Sequence, residues 1–129
     1  MPTMAIMVKA PPFHSESDFA LSLIKQLVKD KHPIECLFFY GEGVYHGQSQ
    51  AVALQGQHQS ITDWQALIQT HSLNAIVCIT AALKRGIIDT DEMQRYNKEQ
   101  TNLAPGLTLG GLGQWVDAVN KADQHLIFG

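Results

Sequence analysis

Cysteine is scarce in this chain: Cys36 and Cys78 are the only two among 129 residues. Two thiols cannot build a disulfide framework, and without a C-x-x-C pair they give no zinc ribbon or thioredoxin-like motif. The six histidines include no pair at the i, i+4 spacing that would put two imidazoles on one helix face for a metal. Charge of one sign is also scarce. A formal net charge of −3 argues against general attraction to nucleic acid or to an anionic membrane. No apolar run approaches the ~20 residues of a membrane span. The opening MPTMAIMVKAPPFH has no basic stretch leading into an apolar one, so no secretory signal is visible. Internal repeats, G-x-G-x-x-G and the P-loop are missing too. The default expectation is a cytoplasmic protein with reduced thiols that touches neither membrane nor nucleic acid directly.

The apolar fraction of 45% is ample for one core, and the length suits a single domain over 1–129. Short apolar runs at 4–8, 34–40, 74–80 and 125–128 read as strands. Between them lie helical patterns. Over 15–31, Phe19, Leu23, Ile24, Leu27 and Val28 recur at three- and four-residue spacings, with Ser15 and Asp18 as an N-terminal signal. A second helix is expected over 63–71 and another near 91–98. A last one is marked by Leu112, Trp115, Val116 and Val119. The stretch 42–60 lacks a period and reads as loop. Such alternation predicts an α/β fold: one mostly parallel sheet of about five strands with helices on both faces.

In such sheets chemistry sits beyond the carboxyl ends of the strands. Cys78 lies at that end of the third strand, in NAIVCITAALKRG, with Thr80 as a candidate N-cap and AALKR as a short helix. An ordinary thiol with a pKa of about 8.5 is only a few per cent ionised near neutrality, and helix N-termini favour the thiolate. The placement suits a nucleophile. It equally suits a buried space-filler, because free cysteine is among the most buried residue types. Cys36, inside IECLFFY and away from any helix start, reads as structural. His14 and His46 are expected on the same rim as Cys78, in surface loops. Lys84 and Arg85 are expected either to meet the open carbonyls of their own helix or to form a docking patch. GEGVYHG (41–47) and GGLG (110–113) read as turn chemistry, the second also as the cap of the last helix.

Three blocks go further. FFYGEGVY (38–45), CITAALKRGIID (78–89) and NLAPGLTLGGLGQWVDA (102–118) resemble the matching stretches of TusD-like members of the DsrE family of sulfur-relay proteins. The likeness extends over essentially the whole chain, is weakest at 46–60, and departs where KAPPFHSES has less glycine than is usual after the first strand. It implies a compact α/β fold and a sulfurtransferase in which Cys78 accepts sulfane sulfur as a persulfide and passes it on. It also implies assembly with TusB- and TusC-like sister subunits into a heterohexamer, a TusA-like donor and a TusE-like acceptor. That relay feeds wobble 2-thiouridine formation in tRNA. DsrE itself works with DsrF and DsrH in sulfur oxidation, so the pathway stays open. Persulfide transfer is thiol–disulfide-type exchange and requires no cofactor or metal. Two other readings stand beside it: a non-catalytic subunit in which Cys78 merely packs, and a small-ligand module using the glycine-rich turns.

Overall fold

Adjacent aromatic residues in one strand separate the two faces of this protein. In a strand, successive side chains point to opposite sides; accordingly Phe38 packs on Trp115 and Phe39 on Trp64, with ring centroids 6.1 and 5.5 Å apart. The computed structural model describes residues 1–56 and 60–129. Five strands, β1 (Met4–Val8), β2 (Ile34–Phe39), β3 (Ala75–Cys78), β4 (Leu107–Gly110) and β5 (Gln124–Phe128), form one sheet in the order β4-β3-β2-β1-β5. Every pairing is parallel. Helices α1 (Ser15–Lys29) and α2 (Ser60–Thr70) cover the face of Phe39, while α5 (Leu112–Lys121) covers that of Phe38. Two short helices, α3 (Ile79–Lys84) and α4 (Thr90–Arg95), fill the connection from β3 to β4. The expected α/β sheet with helices on both faces is what the chain forms.

The central strands are buried on both sides, which is why they read as near-continuous apolar runs. All of β1 and β3 is buried, as is β2 from Cys36 to Phe39.

Several boundaries differ from expectation, for local reasons. Strand β3 stops at Cys78, and Ile79 and Thr80 already belong to α3. The strand β4 was hidden in LTLGG: only four residues long, it runs straight into the glycine pair that opens α5. GEGVYHG is a 3₁₀ helix, Gly41–Gly47, rather than a plain turn. Gly43 is required there, because a Cβ would run into the Val8 carbonyl. The amide of Gln65 on α2 ties this segment down, donating to the His46 and Gln48 carbonyls at 3.1 Å each. The rest of the expected loop is irregular over 48–56, and 57–59 lie outside the described residues.

Helix α1 is capped not by Ser15 but by His14, whose Nδ1 accepts from the Glu16 N–H. Its buried stripe is Ser17, Ala20, Leu21 and Ile24, with Leu23, Leu27 and Val28 half-buried. Phe19 stands outside it, 63% exposed, leaning on Phe128 of the edge strand. On α5 the stripe likewise splits. Trp115 and Ala118 are buried, whereas Leu112 and Val116 face outward. No helix among the described residues is long and apolar enough to cross a membrane.

Candidate functional site: the Cys78 cleft

Cys78 is the last residue of β3 and the N-cap of α3. Thr80, expected to cap, is instead the second helical residue. The thiol makes no capping hydrogen bond, and the residue is 5% exposed. Its neighbour across β4 is Gly110, the register partner of Cys78. Glycine is needed at this point: a Cβ would press on the Gln114 side chain and stand 2.7 Å from Ile76 Cγ2.

A cleft of about 380 Å³ opens over the thiol at the carboxyl end of the sheet. Tyr40 and Gly41 contribute one wall, from the end of β2. Thr80, Ala81, Lys84 and Arg85 of α3 form the second, and Gly111 and Leu112 at the start of α5 the third. Gly111 is the N-cap of α5, as the glycine pair implied, and its N–H donates to the Gln114 side chain at 3.0 Å. Three chain segments far apart in sequence thus meet at one cysteine.

The sequence block AALKRGI folds as it does because α3 ends in a Schellman arrangement. The Gly86 N–H donates to the Leu83 carbonyl and the Ile87 N–H to the Ala82 carbonyl. Gly86 takes φ +77°, which a side chain would oppose, and Ile87 is fully buried. Asn102 fastens the exit: its Nδ2 donates to the Gly86 carbonyl and its Oδ1 accepts from the Ile88 N–H. Arg85, the C-cap, folds back. Its Nη1 donates to the Ala81 carbonyl at 3.0 Å, satisfying one open end of its own helix. Its Nε and Nη2 both donate to Oε1 of Glu42, at 3.1 and 2.7 Å. The hydrogen bond that Arg85 donates to the Glu42 carboxylate is the main cause holding the Arg85 pKa above its usual value. Lys84 lines the same cleft.

Neither histidine joins this cleft. His14 caps α1 at the surface. His46, expected in a surface loop, is fully buried on the α2 side of the sheet, between Phe39 and Trp64. Its Nε2 donates to the Ala10 carbonyl at 3.0 Å, while Nδ1 has no partner. Burial pushes its pKa down to about 4. Cys36 is 1% exposed, and burial, helped by the Glu35 charge, pushes its thiol up to about 11. Both cysteines are free. No cluster of three or more metal-ligating side chains occurs among the described residues.

Tyr40 and Glu42 were not singled out from sequence, and Leu112 was read only as part of the stripe of α5. Glu42 follows β2, and it is the placement of β2 beside β3 in the folded sheet that brings it to Arg85.

A model of the DsrE/DsrF-like family matches residues 3–128. The chain belongs to that family. It is 33% identical over 126 residues to a protein named DsrE from Allochromatium vinosum, covering 97% of each chain. It is 34% identical over 125 residues to a protein named sulfurtransferase TusD homolog from Pseudomonas aeruginosa, covering 97% of this chain and 95% of that one. The fold matches the crystal structure of the ychN protein from E. coli with a TM-score of 0.74, at 21% identity, over 99% of this chain and 100% of that one. Family membership and the names of these relatives support a sulfur-transfer role.

Proposed function

We propose that this protein is a sulfurtransferase subunit that carries sulfane sulfur as a persulfide on Cys78. The observation that carries the reading is the cleft itself. One free thiol at the floor of an open, cation-lined depression is built for another chain's sulfur to reach it, whereas Cys36 is enclosed by core. The Cys78 thiolate attacks the outer sulfur of a donor hydropersulfide. The donor S–S bond breaks, a new Sγ–S bond forms, and the donor leaves as a thiolate. An acceptor thiolate then attacks the same outer sulfur and regenerates Cys78. Each step is an exchange that consumes no oxidant or reductant, and no second residue is needed as a base.

The proposed partners are a TusA-like donor, a TusE-like acceptor and TusB- and TusC-like subunits. Exposed apolar side chains support a subunit role: Leu112 and Val116 on α5, Leu126 and Ile127 on the edge strand β5, and Phe19 on α1. The proposed destination of the sulfur is wobble 2-thiouridine in tRNA. A DsrE-type subunit of sulfur oxidation is the second reading, since the similarity to a protein named DsrE, at 33%, is about as strong as that to a TusD homolog, at 34%. The two readings share the Cys78 chemistry and differ in the acceptor.

Intact-protein mass after incubation with a persulfide donor tests the proposal. Wild type is expected to gain about 32 Da per sulfur, reversibly by thiol reductant, and Cys78→Ser to gain none. Wild type that takes up no sulfur, with Cys78 also resisting alkylation in the folded protein, would make Cys78 a core residue and the chain a structural subunit.

A further inference from the structure

The charge of the sulfur follows from the balance of each exchange. Thiolate plus hydropersulfide gives hydropersulfide plus thiolate, so one negative charge enters and one leaves at every step. That charge resides in turn on Cys78, on the departing donor and on the arriving acceptor. A cleft that runs such a sequence needs a fixed positive charge that faces all three positions without moving. Free lysine side chains are flexible, strongly hydrated point charges, whereas a guanidinium is planar and can be clamped.

Arg85 is clamped. Two of its nitrogens are committed to Glu42 and a third to the Ala81 carbonyl, so its orientation is set from two chain segments 43 residues apart. Its backbone is set by the Schellman turn at Gly86, and that of Glu42 by the 3₁₀ helix in which Gly43 lies against Val8. With a side chain one-quarter exposed, the guanidinium stays open to the cleft wall it forms with Cys78. Glu42 is more exposed, at 56%. It therefore orients the guanidinium from the solvent side while contributing a negative charge of its own.

We propose that Arg85, oriented by Glu42, is the residue that pairs with the migrating negative charge in the Cys78 cleft, so that the cleft favours anionic over neutral reaction partners at the thiol. This rests on the sulfur-relay reading and adds the chemical class of partner it takes. Glu42 moderates the selection: its carboxylate fixes the fork but opposes the approach of an anion. The two residues therefore act with opposite sign on one readout.

That readout is the ratio of second-order rate constants for alkylation of Cys78 by iodoacetate, an anion, and by iodoacetamide, its neutral analogue. Peptide mapping assigns the modification to Cys78. The ratio cancels the thiolate fraction and the depth of the thiol, both common to the two reagents, and leaves the local potential. Arg85→Gln is expected to lower the ratio about tenfold, the order expected for losing one unit charge from the cleft wall. Arg85→Lys should fall between Gln and wild type, and Glu42→Gln should raise the ratio. All three effects should shrink on going from low salt to about 1 M salt.

A ratio unchanged within about twofold in Arg85→Gln, with Glu42→Gln also flat, overturns the proposal. So does a wild-type Cys78 that resists both reagents. Sulfur loading measured on the same variants separates this from the relay itself. Loading that persists at the wild-type rate with a flat ratio removes Arg85 and leaves the relay intact. A responsive ratio without any sulfur loading leaves Arg85 as an anion-recognition residue and removes the relay.

Discussion

Cys78 and Gly110 lie side by side on adjacent parallel strands, and the missing side chain of Gly110 is what lets Gln114 turn back to cap α5. The wall of the cleft and the packing of the sheet are thus one piece of structure.

Gly110→Ala tests that coupling. The added methyl must displace the Gln114 side chain and Ile76 Cγ2 at 2.7 Å, an overpacking that costs about 1–3 kcal/mol. A lower thermal midpoint is expected, together with faster alkylation of Cys78 as the start of α5 is pushed aside. An unchanged midpoint would mean that the strand end absorbs the methyl without strain.

Stability should fall on the acid side because of His46. Its folded pKa is about 4 against an ordinary 6.5, so the unfolded chain binds the proton first. The contribution is fully present above pH 6.5 and is lost as pH falls from there toward 4. The hydrogen bond to the Ala10 carbonyl and, less, the Asp18 charge oppose the shift, and burial outweighs both. Between pH 7 and pH 5 the loss is about 2 kcal/mol. His46→Phe removes the titration and leaves a pH-independent offset for the unpaired Ala10 carbonyl. Urea unfolding of both proteins at pH 7 and 5 should therefore show their difference changing by about that amount.

The two thiols should separate cleanly. Cys36, with its pKa pushed up to about 11 and 1% exposed, should resist iodoacetamide at pH 8 until the protein is unfolded, whereas Cys78 reacts in the native state. Cys36→Ser buries a hydroxyl and should cost about 1–3 kcal/mol while leaving sulfur loading untouched. Loss of loading in that variant would join Cys36 to the mechanism.

Two glycines near the site should fail differently. At Gly86 a Cβ meets nothing within 4 Å, so Gly86→Ala costs only its left-handed backbone, about 1–2 kcal/mol. At Gly43 the Cβ collides with the backbone of β1, which cannot swing aside. Gly43→Ala should therefore destabilise the protein more than Gly86→Ala, by comparison of denaturant midpoints.

Much of this molecule is determined locally. The buried strands β1, β2 and β3 announce themselves as apolar runs because both their faces are covered, and α1 and α2 by their periodicity. ALKRG contains its own stop signal, since only glycine takes the backbone at Gly86 without cost, and GG before Leu112 marks the start of α5. Position alone put Cys78 at the end of a strand. Other features were beyond local reading. The four residues of β4 are too few to show a period. Phe19, Leu112 and Val116 obey a helical pattern yet face outward, because the buried stripes of α1 and α5 are narrower than that pattern. His46 looks like a loop residue until Phe39 and Trp64, from a strand and a helix, close over it. The pairing of Glu42 with Arg85, which lines the Cys78 cleft, depends on β2 lying beside β3. Strand order is a property of the assembled sheet: burial on two faces fixes that a segment is a central strand, but only packing of all the layers decides which strand is its neighbour.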